Sequence, residues 1–245
     1  MRTVNVGNVR LGTKPVKTLV SLEGATPRAL YKKARLLDKE PVDILEWRVD
    51  SFRNRSIPAL KKTFSELRKA TSKPLLLTVR TCREGGKADL SRQNYKNLLV
   101  DLLAETTPDA VDVEFGRGDI TSLVSTAHEK KVPVIASFHN FSKTPSESEL
   151  FKKLARMEQA HADVLKIAVM PRTPSDVLRL LKVLLMARKS LKSPVVAIAM
   201  GKLGTLTRIA GSQFGSCATF AGFGKVSAPG QLNLHETNRF LSFSE

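Results

Sequence analysis

The five residues Val164-Leu165-Lys166-Ile167-Ala168 set one lysine inside an otherwise apolar run. A strand with one face in water alternates polar and apolar side chains, whereas a strand covered on both faces reads as continuously apolar. A lysine in the second kind of strand loses the hydration of its ammonium, which favours the neutral amine and makes it a usable nucleophile. The competing reading is a lysine near the strand end, its ammonium snorkelling out to water. The run by itself does not choose between them.

Other ionisable residues close apolar runs in the same way. Arg80 follows Leu75-Leu76-Leu77-Thr78-Val79, and His139 follows Val134-Ile135-Ala136-Ser137-Phe138. Glu46 and Arg48 interrupt an apolar stretch two residues apart, hence on one strand face. Taken singly, Glu46 with Arg48 reads as an internal ion pair, and a lone histidine at a strand end as a hydrogen-bonded structural residue. Taken together they describe a reaction. A buried amine condenses with a ketone or aldehyde, and the resulting iminium acidifies the adjacent carbon. A histidine titrating near working pH takes that proton and returns it to a departing hydroxyl. Arginines at the same mouth clamp a carboxylate. No metal-type Cys or His spacing and no cofactor motif accompanies these residues, so the lysine itself supplies the activation. The pattern predicts a cofactor-free lyase acting on a keto acid.

Such residues cooperate only if the strands that end in them share one mouth. The chain opens with a short hairpin turning at Gly7-Asn8. Strands are then predicted over 18–22, 42–49, 75–80, 110–115, 134–139, 164–169, 195–200 and 217–220. The helices between and after them are predicted over 26–37, 57–70, 91–105, 120–130, 146–161, 173–189, 205–214 and 231–241. Thr26-Pro27 and Thr173-Pro174 are helix-opening pairs, and Ser146 with Glu149 is a capping box. Eight strand–helix units in 245 residues predict a single-domain α/β TIM (β/α)8 barrel, its bottom closed by a hairpin over residues 1–17. A doubly wound open sheet is the competitor, but Ser21-Leu22-Glu23-Gly24 is no dinucleotide fingerprint. In a barrel the site lies at the C-terminal strand ends, which here offer Ser21, Glu46, Arg48, Arg80, Glu114, His139, Lys166 and Met200, with Ser227 in the loop after the eighth strand.

Hydrophobic residues make up 42% of the chain, enough for one full core or two smaller ones. No apolar run approaches the roughly 18 residues that span a bilayer, and the N-terminus lacks a secretory core. Two cysteines, Cys82 and Cys217, read as free thiols of a cytoplasmic protein. The net charge of +17 and pI near 10.1 suit either a nucleic-acid binder or an enzyme of anionic substrates. The cations are spread over nearly every predicted helix, as at Arg28, Lys32, Lys33 and Arg35, without a basic tail or interleaved aromatics. A solvated basic surface is therefore expected, with nucleic acid an unlikely partner and membrane excluded.

At these residues the sequence resembles the type I 3-dehydroquinate dehydratases of the shikimate pathway. The resemblance runs through Glu46-Trp47-Arg48-Val49-Asp50, Arg80-Thr81 with Glu84-Gly85-Gly86, and Ser137-Phe138-His139-Asn140-Phe141. It continues through Lys166-Ile167-Ala168, Met200-Gly201 and Ser227-Ala228-Pro229-Gly230-Gln231. It implies a (β/α)8 barrel that converts 3-dehydroquinate to 3-dehydroshikimate through a covalent imine, with no cofactor and commonly as a homodimer. By position Lys166 is then the imine-forming lysine, His139 the general base and acid, and Glu84 the glutamate that orients it. Glu46, Arg48, Arg80 and Arg208 fall on substrate-binding positions, as do Ser21, Ser227, Ala228 and Gln231, with Met200 and Phe220 as apolar walls. Residues 225–231 fall on the family's lid. Thr207 stands where the family often has serine, and Ala199 before Met200 leaves a slimmer apolar contact than in some relatives. Two rivals remain: a Schiff-base aldolase using Gly201-Lys202-Leu203-Gly204 as a phosphate cradle, and a nucleic-acid-binding barrel without catalysis. The resemblance does not decide between biosynthesis of aromatic amino acids and breakdown of quinate.

Overall fold

The computed structural model describes residues 2–117, 119–224 and 228–243. β1 (Val4–Val6) and β2 (Val9–Leu11) form the antiparallel hairpin. Strands and helices then alternate: β3 (Lys17–Leu22), α1 (Pro27–Asp38), β4 (Ile44–Arg48), α2 (Ile57–Ala70), β5 (Leu75–Thr78), α3 (Arg92–Glu105), β6 (Ala110–Glu114) and α4 (Ile120–Glu129). The second half follows with β7 (Val134–Asn140), α5 (Glu147–Gln159), β8 (Val164–Val169), α6 (Pro174–Ser190), β9 (Val195–Ala199), α7 (Thr205–Ile209), α8 (Gly211–Phe214), β10 (Ala218–Ala221) and α9 (Leu234–Ser242).

β3 to β9 lie side by side in chain order and β10 pairs with β3, all in parallel. The seam between β9 and β10 is closed by a bridge from Val195 to Ser216, where the Cys217 N–H donates 2.8 Å to the Val195 carbonyl. The sheet is a TIM barrel. Its outward side chains pack on the helices, as Leu45, Trp47 and Leu77 do beneath α1 and α2. Helix starts are fixed by side chains that accept orphan N–H groups: Thr26 from Ala29, Ser91 from Asn94, Asp119 from Ser122 and Ser146 from Glu149.

Inside the barrel, parity sorts the residues into layers. Leu19, Ile44, Leu76, Ala110, Ile135, Val164 and Val196 form an apolar layer with Val4, Val6 and Leu11 of the hairpin, which plugs the N-terminal end. The next inward positions are polar on β4 to β8 and apolar on β9 and β10, where Ile198, Met200 and Phe220 form one wall.

Two predicted helices differ from the observed ones. The helix expected over 205–214 is broken at Ala210, between α7 and an α8 that starts on Gly211, a weak helix former. The last helix begins at Leu234 rather than Gln231. Gly222 pairs with residues on either side of Asn233, its N–H donating to the Leu232 carbonyl and its carbonyl accepting from Leu234, and Asn233 is the cap. Among the described residues no helix is long and apolar enough to cross a membrane.

Candidate active site

The strand ends open on one cavity at the C-terminal face. Ser21, Glu46, Arg48, Arg80, Glu84, His139, Lys166, Met200, Arg208, Phe220, Ala228 and Gln231 all line it, while Ser227 lies outside the described residues. Residues from strands, helices and loops along the whole chain therefore converge on one space.

Lys166 sits on β8 with only 4% of its surface exposed, which overturns the reading of a snorkelling strand-end lysine. Nor is it a lone cation among apolar residues. Its Nζ lies 3.2 Å from Asp112 Oδ2, 3.8 Å from Glu46 Oε1 and 4.3 Å from the centre of the Phe220 ring. Glu46 is held by the hydroxyls of Ser21 (2.5 Å) and Thr78 (3.1 Å). Asp112 accepts from Ser137 Oγ at 2.6 Å and from Arg80 Nη2 at 2.8 Å. Burial alone raises a carboxyl pKa, but Arg80 and Lys166 outweigh it and hold Asp112 below its ordinary value. The sequence reading passed over Asp112. Its signal was the one that singled out Lys166: a charge inside the apolar run Ala110-Val111-Asp112-Val113.

His139 ends the inward-facing series of β7, with register partner Ala168 on β8, two positions beyond Lys166. Glu84 holds it twice: Oε2 accepts from the His139 backbone N–H at 3.1 Å and lies 2.8 Å from Nδ1. Glu84 reaches that place because the 3-10 turn Cys82–Glu84 folds the chain back on β5. A Cβ on Gly86 would overlap the Arg80 carbonyl, so the return needs glycine there. Burial, together with Arg80, Lys166 and Arg48, pushes the His139 pKa well below 6.5, so its imidazole is neutral. Burial pushes Glu84 up to about 8, against the pull of Arg80. When Glu84 ionises, Nδ1–H donates to it and Nε2 is left bare as a base.

The three arginines have unequal freedom. Arg80 is a hub: Nη2 meets Asp112, and Nη1 donates to Glu114 (3.1 Å) and Ser137 Oγ (3.0 Å), with Glu84 at 3.5 Å. Arg48 does not pair with Glu46, the bland alternative for that spacing. The chain turns back after β4, and Asp50 takes its Nε and Nη2 at 2.8 and 2.9 Å. Asp50 is a second residue the sequence reading missed, and it also caps the Arg80 and Lys87 N–H groups. Arg208 differs from both. Its Nη1 and Nη2 donate to the carbonyls of Phe220 (3.2 Å) and Pro229 (3.1 Å), its buried Nε has no partner, and no described carboxylate pairs with it. Burial pushes it down to about 10. A buried guanidinium without a counter-ion is a ready receptor for an anion.

The segment 228–231 is docked on the mouth. The Gly201 N–H donates to the Pro229 carbonyl at 3.1 Å, and a Cβ on Gly230 would overlap the Gly201 carbonyl. The proposed phosphate cradle at Gly201–Gly204 thus has its first N–H engaged by Pro229, and the Gly204 N–H by the Gly201 carbonyl.

The family model for type I 3-dehydroquinase matches residues 18–245. A 3-dehydroquinate dehydratase of Clostridioides difficile is 38% identical, over 98% of this chain and 96% of the relative. A catabolic 3-dehydroquinate dehydratase of Acinetobacter baylyi is 35% identical, over 98% and 90%. Among solved structures, a type I 3-dehydroquinate dehydratase from Clostridium difficile with covalently modified comenic acid superposes with a TM-score of 0.95. It shares 38% identity over 99% of this chain and 98% of that one. A sequence match of this extent, on a barrel of the same shape, makes the chain a member of the type I 3-dehydroquinase family.

Proposed function

We propose that this chain dehydrates 3-dehydroquinate to 3-dehydroshikimate through an imine on Lys166. The observation that carries the reading is one cavity holding a buried lysine, a neutral histidine on the adjacent strand, and a guanidinium that pairs with no carboxylate among the described residues. Arg208 receives the substrate carboxylate, and the polar groups of Ser21, Glu46, Arg48 and Gln231 face its hydroxyls. The Lys166 amine, once it has given up a proton, adds to the ketone, and loss of water leaves an iminium whose positive charge sits beside Asp112 and Glu46. His139 Nε2 removes a proton from the carbon next to the iminium, and the C–H electrons move toward nitrogen to give an enamine. The enamine then expels the hydroxyl one carbon further on, which takes the proton back from His139 and leaves as water. A second water hydrolyses the conjugated iminium and frees the amine. The lid over these steps is residues 225–231, of which 225–227 lie outside the described residues.

Incubation with 3-dehydroquinate and borohydride should fix one substrate-sized adduct on Lys166, located by peptide mass mapping. An unmodified protein, or label on another lysine, would overturn the mechanism. A role in the shikimate pathway and a cytoplasmic homodimer belong to the same reading, and a monomeric mass in sedimentation equilibrium would remove the last of these. One relative is called catabolic and another is not, so the direction of metabolic use stays with the cell's supply of quinate.

A further inference from the structure

We infer that the groove along α1 is a docking surface for an acidic, partly apolar segment of a partner protein. Arg28, Lys32, Arg35 and Lys39 recur at steps of four, three and four, which puts them in one line along α1 and its C-cap. All four are exposed. Among the described residues none of them makes an ion pair or a side-chain hydrogen bond. Some lysines elsewhere on the helical layer do pair, as Lys61 with Glu105, Lys69 with Glu66 and Lys182 with Glu147. Like charges four apart repel along a helix, so the row is a local cost that an anionic partner relieves.

The row is not a plain cationic surface. Leu36, 50% exposed, stands on one side of it and Tyr31 on the other, and with Pro27 and Ala70 of α2 they give the groove an apolar floor. The one carboxylate in the groove, Asp38, is turned away, accepting from Thr71 and Ser72 at the start of the next loop. The row extends about 16 Å at the helical rise, the length of three turns of a partner helix with acids on one edge and an apolar residue beside them. Nucleic acid fits less well, because Tyr31 is the single aromatic ring in the groove lining and the rest of its floor is aliphatic. Nothing on this row touches the cavity at the barrel mouth, so the surface is independent of the catalytic reading. It also gives part of the high net charge a use.

The test uses two fluorescent peptides of equal length and charge, one with glutamates and leucines at helical spacing and one with glutamates and serines, and a single-stranded oligonucleotide of matching charge. The leucine peptide should bind at low salt, at least tenfold tighter than the other two. Arg28→Gln/Lys32→Gln/Arg35→Gln/Lys39→Gln should weaken it at least tenfold while turnover stays unchanged. Leu36→Ser should remove most of its advantage over the serine peptide without changing the salt slope. Failure of the leucine peptide to bind, equal binding of all three probes, or binding indifferent to the four substitutions would each overturn the proposal. Tightest binding of the oligonucleotide would overturn it in favour of a nucleic-acid surface.

Discussion

Two adjacent layers of the barrel interior, carried by the same strands, show opposite chemistry. Ile44, Leu76, Ala110, Ile135 and Val164 form the lower layer with the hairpin, and one alternation further on Glu46, Thr78, Asp112, Ser137 and Lys166 form the upper one. Both are dry: none of these ten side chains belongs to a residue more than 4% exposed. They differ in what replaces water. In the lower layer apolar neighbours do, and burial itself stabilises the fold. In the upper layer each charge is answered by another, as Lys166 by Asp112 and Asp112 by Arg80, and the desolvation cost is offset rather than avoided. The lower layer holds the barrel; the upper layer aims groups at the mouth.

Substitutions should therefore separate the two layers. The largest loss of activity belongs to Lys166→Met, which keeps much of the side-chain volume and leaves Asp112 bonded to Arg80: no borohydride adduct and no measurable turnover, with the fold retained by circular dichroism. If it melts lower than a lower-layer truncation, the division of labour is wrong. His139→Ala should cut kcat by about 10²–10⁴-fold while the trapped adduct persists, and ordinary turnover would remove the histidine's role. Asp112→Asn tests the boundary, since Asp112 serves both the framework and the amine. Leaving Arg80 and Lys166 short of a counter-charge should cost about 3–5 kcal/mol in denaturant unfolding and also lower the fraction of enzyme trapped at saturating substrate. A stability loss alone would make it purely structural. Leu76→Ala should destabilise by about 2–5 kcal/mol through the cavity it leaves, with kcat unchanged well below the melting temperature.

The sequence exposed this division unevenly. Strands covered on both faces appear as continuous apolar runs, so the eight units and the polar interruptions Lys166, Glu46 and Arg48 stood out. What did not stand out was which charges answer one another. Arg48 and Glu46 share a strand face, yet Arg48 turns to Asp50 because the 3-10 turn Val49–Ser51 brings that carboxylate back. Arg80 looked like an open clamp, but acids from β6 and from the turn after β5 occupy it, whereas Arg208, drawn from a helix, meets only carbonyls among the described residues. These pairings cross between strands, and a single chain read in order carries no signal for them. Asp112 was the legible exception, and it was passed over.

A pH test concerns Glu84, which lies in the turn above the upper layer and has a different balance. Its carboxyl is raised from an ordinary 4.5 to about 8, chiefly by burial, so between those values the folded chain keeps a proton that the unfolded chain has released. The stability linked to that proton is present in full below about pH 4.5 and is lost as pH rises through about 8. Glu84→Gln deletes this titration while its carbonyl oxygen still accepts from the His139 backbone. The melting temperature of the unaltered enzyme should therefore fall relative to the variant's between pH 5 and 9, at about 2–4 °C for each kcal/mol. The same ionisation frees His139 Nε2, so kcat/KM of the unaltered enzyme should rise across that window and the variant's should not. Parallel melting curves would mean that Glu84 is charged throughout. Arg80 at 3.5 Å would then answer it as it answers Asp112.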